Sequence, residues 1–244
     1  MVCFCVRLGV GPPRGKEIPV SPFLEILKDE VQLAALVFMA SVYALRVAWL
    51  FRFPPRRERT RPAGRAAAGA AYSLINIANP GGMESTRKRP WFYFQFVVFH
   101  IGVAAAISAT FLIPYAPVIL ENAFLAWTFT VLMASAFLVG MVRLYRRLTT
   151  PVLRMVSTPD DFASLILMIV YFASGILALS PLADRSEWPL ILFFSLTTFF
   201  LVYVPFSKIG HYLYYPFARI YLGRTLGHRG AWPPQGRSRR GGAR

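Results

Sequence analysis

The chain has 244 residues, of which 56% are hydrophobic, 15% aromatic and only 16% charged, a composition that excludes a disordered chain and an ordinary water-soluble domain. Against 27 Lys and Arg stand 11 Asp and Glu, a formal net charge of +16. In so apolar a chain such an excess points to the cytoplasmic loops of a membrane protein, and the placement of the cations decides between that and nucleic-acid binding.

In chain order, the opening stretch up to Gly11 has no basic region ahead of its apolar residues and no small-residue cleavage pattern, so it is not expected to be a signal peptide. Cys3 and Cys5, one residue apart, are too close for an unstrained disulfide and too few for a cysteine-held metal site. Residues 1–30 are read as an N-terminal extracytoplasmic segment. Five apolar stretches follow, at about residues 31–53, 93–115, 123–142, 162–182 and 188–215, each long enough to cross a hydrocarbon core of roughly 30 Å as a helix. Backbone groups find no partners in lipid, so spans of this length must be helical. The expected fold is an all-α integral membrane bundle of five transmembrane helices over residues 31–222, followed by a basic tail at 223–244.

Lys and Arg alternate between the connections. Arg56, Arg57, Arg59, Arg61, Arg65, Arg87, Lys88 and Arg89 follow the first span, and Arg143, Arg146, Arg147 and Arg154 follow the third; Lys208, Arg219, Arg224, Arg229, Arg237, Arg239, Arg240 and Arg244 follow the fifth. The opposite side has Arg7, Arg14, Lys16 and Lys28 before the first span and Arg185 between the fourth and fifth. This bias predicts an N-terminus outside and a C-terminus in the cytoplasm. The cations follow topology and no recognition module is evident, so nucleic-acid binding is set aside. The connection from Pro54 to Pro90 is long, with an alanine-rich run and a turn at Asn79-Pro80-Gly81-Gly82. The tail beyond Gly230 is rich in Pro, Gly and Arg and is expected to be disordered unless another subunit orders it.

Three histidines are present, and His100 lies inside an otherwise uncharged span, where an ionisable group is costly. If span five continues past Ser207, His211 reaches a similar depth from the cytoplasmic end. Two imidazoles on opposed helices at one depth can clamp a haem iron from both faces. They can equally be a helix-bonding histidine and an interfacial one. His228 sits in a basic loop and is not read as a ligand. Lys88, Arg89, Lys208 and Arg219 are candidate partners for haem propionates, and are also ordinary positive-inside anchors.

The stretch Phe99-His100-Ile101-Gly102 and the stretch Pro205-Phe206-Ser207-Lys208-Ile209-Gly210-His211 resemble the cytochrome b (gamma) subunit of respiratory nitrate reductase. The region Tyr214–Arg219 and the glycine-flanked Gly223–Gly230 look more like related subunits of heterodisulfide-reductase-like and sulfite-reduction-associated membrane complexes. The resemblance implies a multi-pass subunit of a prokaryotic cytoplasmic membrane. It would pass electrons between menaquinone, or another quinone, and a cytoplasmic iron–sulfur subunit attached to a catalytic subunit. A redox subunit rather than a complete enzyme is expected, with His100 and His211 as axial ligands of haem b. The positions corresponding to the family's second histidine pair are Thr110 and Phe193, which cannot ligate iron, so one haem is expected. The quinone is then expected near that volume, with Thr110, Phe111, Phe193 and Phe194 lining it and Glu121 as proton acceptor; alternatively the phenylalanines fill the volume and Glu121 is a helix-terminal acid. The other class is a haem-free membrane anchor that tethers a soluble oxidoreductase. A transporter is disfavoured, because spans three and four carry no midplane binding features.

Overall fold

The computed structural model describes residues 21–53, 58–76, 79 and 84–234. Cys3, Cys5, Arg7, Arg14, Lys16, Arg56, Arg57, the Pro80-Gly81-Gly82 part of the turn and the tail arginines from Arg237 onward lie outside the described residues. Among the described residues the regular structure is entirely helical. Five helices are long and apolar enough to cross a membrane: α1 (Pro22–Arg52), α4 (Pro90–Tyr115), α6 (Ala123–Thr149), α8 (Pro159–Ala178) and α9, whose last turn is 3₁₀ (Trp188–Phe206). Between them lie α2 (Ala66–Ile75), α3 (Glu84–Lys88), α5 (Pro117–Glu121) and α7 (Pro151–Val156), and the chain continues into α10 (His211–His228). Large side chains on the long helices stay bare, with Leu45 71%, Phe124 77% and Leu138 63% exposed. In water such faces would be strongly unfavourable, whereas acyl chains cover them at no cost. The protein is a multi-pass helical membrane protein.

The helix ends differ from the sequence expectation in every span, the second starting at Pro90 rather than residue 93. The first helix begins at Pro22 rather than residue 31, because Ser21 Oγ accepts the Leu24 N–H at 3.3 Å and Pro22 occupies the first turn. Its turn at Leu27–Val31 is a π-helix. The third span runs on to Thr149, since cations are favoured in a helix's last turn, and Pro151 holds Thr150 extended and ends it. The fourth starts at Pro159, held by a capping box in which Thr158 and Asp161 exchange hydrogen bonds, and stops at Ala178 rather than 182. The largest correction concerns span five. It does not reach Tyr215: Pro205 brings in a 3₁₀ turn, Ser207 is extended, a second 3₁₀ turn covers Lys208–Gly210, and a separate helix starts at His211.

The chain divides into two compact units, Met1–Val42 with Phe94–Ile209 and Tyr43–Tyr93 with Gly210–Arg244. In the first, small residues let helices approach closely, as expected where lipid gives no hydrophobic drive for association. A Cβ at Gly102 of α4 would lie 2.9 Å from the Leu132 carbonyl oxygen of α6, and one at Gly175 of α8 would lie 2.7 Å from Met133 Sδ. Ala105, Ala106, Ala109, Met133, Ala136, Phe172, Phe193 and Phe194 form the buried centre. At the entry to α8, Lys208 Nζ lies 3.1 Å from Asp161 Oδ1, and the Tyr203 hydroxyl donates to Asp160 Oδ1 at 2.9 Å.

In the second unit α2 lies antiparallel to α10 along a glycine seam. A Cβ at Gly223 would approach the Gly69 carbonyl oxygen to 2.6 Å, and one at Gly227 the Arg65 carbonyl oxygen to 2.7 Å. The connection between the first two spans is thus partly a helix docked on α10. The seam is closed at the end of α10, where the His228 carbonyl accepts Ala63 N–H at 2.8 Å and Gly64 N–H at 3.1 Å. Arg229 adds a two-pronged contact to Glu58 Oε2, at 2.8 and 2.6 Å, and this guanidinium holds the Glu58 carboxyl below its ordinary value of 4.5. A lowered carboxyl contributes stability above its ordinary value and loses it as pH falls through the folded value. The 58–65 segment is therefore expected to resist proteolysis at neutral pH and to become cleavable in acid, and Glu58→Gln is expected to show the acid behaviour at pH 7.

Candidate functional site

His100 stands on the exposed side of α4, opposite the face on which Gly102 meets α6. Its ring packs against Phe96, with centroids 4.0 Å apart, and more loosely against Phe99 at 6.2 Å. Nδ1 lies 2.8 Å from the Phe96 carbonyl oxygen, one turn back. A carbonyl only accepts, so Nδ1 carries the proton, and in the neutral form of the ring the lone pair lies at Nε2. No described residue hydrogen-bonds that nitrogen. On an apolar helix face an unmet acceptor costs about 1–3 kcal/mol, and a tautomer fixed by a backbone carbonyl is the arrangement found behind metal-bound imidazoles. Beside this ring the Arg143 guanidinium lies 5.1 Å above the centre of Phe99, which in turn meets Phe172 edge-on at 5.3 Å. Sequence reasoning did not find Phe96 or Arg143 as partners. The i−4 carbonyl was available in principle, but a cation over a ring two helices away in sequence leaves no trace in spacing.

His211 opens α10 in the second unit, directly after Gly210. The argument from matched depth on one continuous fifth helix therefore fails, because His211 belongs to a new helix. Its neighbours are ordered by the C-terminal part of α1: the hydroxyls of Tyr212 and Tyr43 hydrogen-bond, their rings meeting edge-on at 5.8 Å, and Arg46 Nη1 donates to the Tyr214 hydroxyl at 3.3 Å. His228 is a structural residue, with Nε2 2.8 Å from the Thr60 carbonyl oxygen. Among the described residues no three His, Cys, Asp or Glu side chains gather in a metal-holding group; an iron clamped between two imidazoles requires none.

Each propionate candidate has a contact within the chain. Lys88 pairs with Glu84 at 2.6 Å, Arg89 lies 5.9 Å above Phe92, Lys208 bridges Thr158 and Asp161, and Arg219 donates to the Ser73 carbonyl at 2.9 and 3.3 Å and covers Trp232 at 5.6 Å. The Lys88 pair is exposed and contributes little, so that side chain is readily redirected. Arg219 is a structural bolt between α2 and α10.

The residues expected around a quinone divide sharply. Phe193 and Phe194 are 0% exposed, and Phe193 stacks on Tyr171 at 5.3 Å, whose hydroxyl lies 3.2 Å from Thr197 Oγ1. Thr110 is buried, donates to the Ile107 carbonyl at 2.7 Å and receives Gln32 Nε2 on its own carbonyl at 3.3 Å. These aromatic rings fill the volume, and a ring ligand enters there only by displacing them. Phe193→Ala is accordingly expected to cost about 3–5 kcal/mol, read as a lowered midpoint of thermal unfolding. Phe111 and Glu121 are exposed. Glu121 ends α5 rather than opening the third span, whose first amides are capped by Asn122 Oδ1 at 3.0 and 3.3 Å.

Fold and site together describe a helical membrane protein with five helices long and apolar enough to span, and a histidine, His100, on the exposed face of one of them. No family model and no solved structure matches the chain. A protein of Nitratidesulfovibrio vulgaris strain Hildenborough, whose name states no activity, is 30% identical to it over 203 residues, covering 77% of this chain and 86% of the relative. The chain belongs to the family of that protein.

Proposed function

We propose that the protein is the membrane cytochrome b subunit of a respiratory oxidoreductase complex, carrying electrons between a quinone pool and a cytoplasmic iron–sulfur subunit. The observation that carries this is His100: an imidazole whose Nδ1 bonds the Phe96 carbonyl and whose Nε2 no described residue hydrogen-bonds. Haem b, which His100 and His211 would hold, would supply reversible one-electron transfer. The Phe96 carbonyl orients the imidazole and raises its basicity. Arg143, over Phe99, places a cation near this end of α4. Because Thr110 and Phe193 replace a second pair of imidazoles and Phe193 is packed into the core, the proposal holds to a single haem. By the alternation of Lys and Arg, the N-terminus lies outside and the basic α2–α10 unit faces the cytoplasm, where the iron–sulfur subunit docks.

The test is electron transfer itself. In inverted vesicles containing the complex, a menaquinol analogue is expected to reduce a b-type chromophore, and the catalytic subunit's oxidised substrate to reoxidise it. A haem-free anchor is the second reading. It is favoured by one observation, that every propionate candidate already has a partner within the chain, and absence of any visible band would establish it.

A further inference from the structure

His211 opens a helix whose first turn has no side-chain cap. It is the first residue of α10, the N-cap Gly210 offers no side chain to the free amides of the first turn, and Pro216 has no N–H to give to the Tyr212 carbonyl. The turn 211–215 is thus thinly supported from within. Support comes instead from one stretch of α1. Tyr43 hydrogen-bonds the Tyr212 hydroxyl and meets its ring edge-on, Arg46 donates to the Tyr214 hydroxyl at 3.3 Å, and Phe51 meets Phe217 edge-on at 5.8 Å. These contacts grip the residues on both sides of Pro216. They leave the glycine face of α10 to α2.

We infer that Tyr43 and Arg46 are positioning residues for His211: the C-terminal part of α1 clamps the first turn of α10 and so fixes the direction in which that imidazole is presented. The inference rests on the haem-ligand role proposed for His211, and it assigns to α1, which carries no ligand, a part in tuning the site. A positioning residue does not touch the cofactor. Its loss changes ligand geometry and local opening before it changes occupancy.

The experiment compares full-length wild type with Tyr43→Phe, which removes one hydroxyl and keeps the ring, Arg46→Gln, and Tyr221→Phe as a control on the exposed side of the same helix. Hydrogen exchange is followed over residues 211–215, and the low-spin electron paramagnetic resonance signal and reduction midpoint are recorded. Tyr43→Phe and Arg46→Gln are expected to retain haem, to speed exchange in that turn several-fold and to shift the resonance and midpoint, while Tyr221→Phe changes neither. Haem present with unchanged exchange and an unchanged signal in both variants would overturn the clamp. Wild type without haem would overturn the cytochrome proposal and with it the tuning role, while the exchange comparison would still report whether α1 holds the turn.

Discussion

Replacing His100 with alanine is expected to reduce bound haem from one per chain to less than a tenth of that, with the protein still inserted and folded. The two halves of that expectation have separate causes. The imidazole makes no hydrogen bond that holds α4 to another helix: Nδ1 serves its own helix through Phe96, and Nε2 has no described partner. Packing of α4 depends on the opposite face, Gly102, Ala105, Ala106 and Ala109. Removing the ring therefore costs little stability, and under the proposed function it would remove one of the two iron ligands. His100→Gln, which keeps an acceptor but not a strong iron ligand, is expected to behave as the alanine variant does. A histidine that merely tied helices together would instead lower thermal stability and leave any spectrum intact. The check is a reduced-minus-oxidised spectrum beside a melting curve.

The second large effect runs against a general rule. Glycine in a helix costs about 1 kcal/mol relative to alanine, so Gly227→Ala would ordinarily stabilise α10. Here the new Cβ would stand 2.7 Å from the Arg65 carbonyl oxygen and 2.8 Å from Gly69 Cα. Both are backbone atoms, and neither can swing aside. Overpacking of this kind costs about 1–3 kcal/mol, more where only backbone can yield, so the net change is expected to be destabilising. The separation of α2 from α10 would carry with it the His228 carbonyl contacts and the grip of Arg219 on Ser73. Trypsin is expected to cut at Arg59 or Arg65 at least tenfold faster in the variant. Unchanged or slower cleavage would mean that the seam does not hold these helices together.

Much of this architecture could be read from residues alone, and the rest could not, for identifiable reasons. Five spans follow from runs of apolar residues, because lipid permits little else. The start of α8 was placed too late, at residue 162, because Asp160 and Asp161 are charged and so lie outside the apolar run although they belong to the first helical turn. The end of span five was misread because the span was carried past Ser207 to bring His211 to a depth matching that of His100, whereas Pro205, Ser207 and Gly210 break the backbone there. The α2–α10 pair was missed for a different reason: Gly69, Gly223 and Gly227 are visible as glycines, but which backbone approaches them is a property of the fold. His100 was legible as an anomaly, a titratable group in an uncharged span, and the structure adds its tautomer. Tyr43 and Arg46 gave no signal at all, since a tyrosine and an arginine near the end of a span are ordinary interfacial residues.

The central claim is one haem b on this chain, and its most direct measurement is the pyridine haemochrome of the purified protein against its concentration by amino-acid analysis. One haem per chain is the predicted result. Two would contradict the assignment of Thr110 and Phe193 as positions unable to ligate, and none would leave a membrane anchor in which the lone pair of His100 serves some other partner.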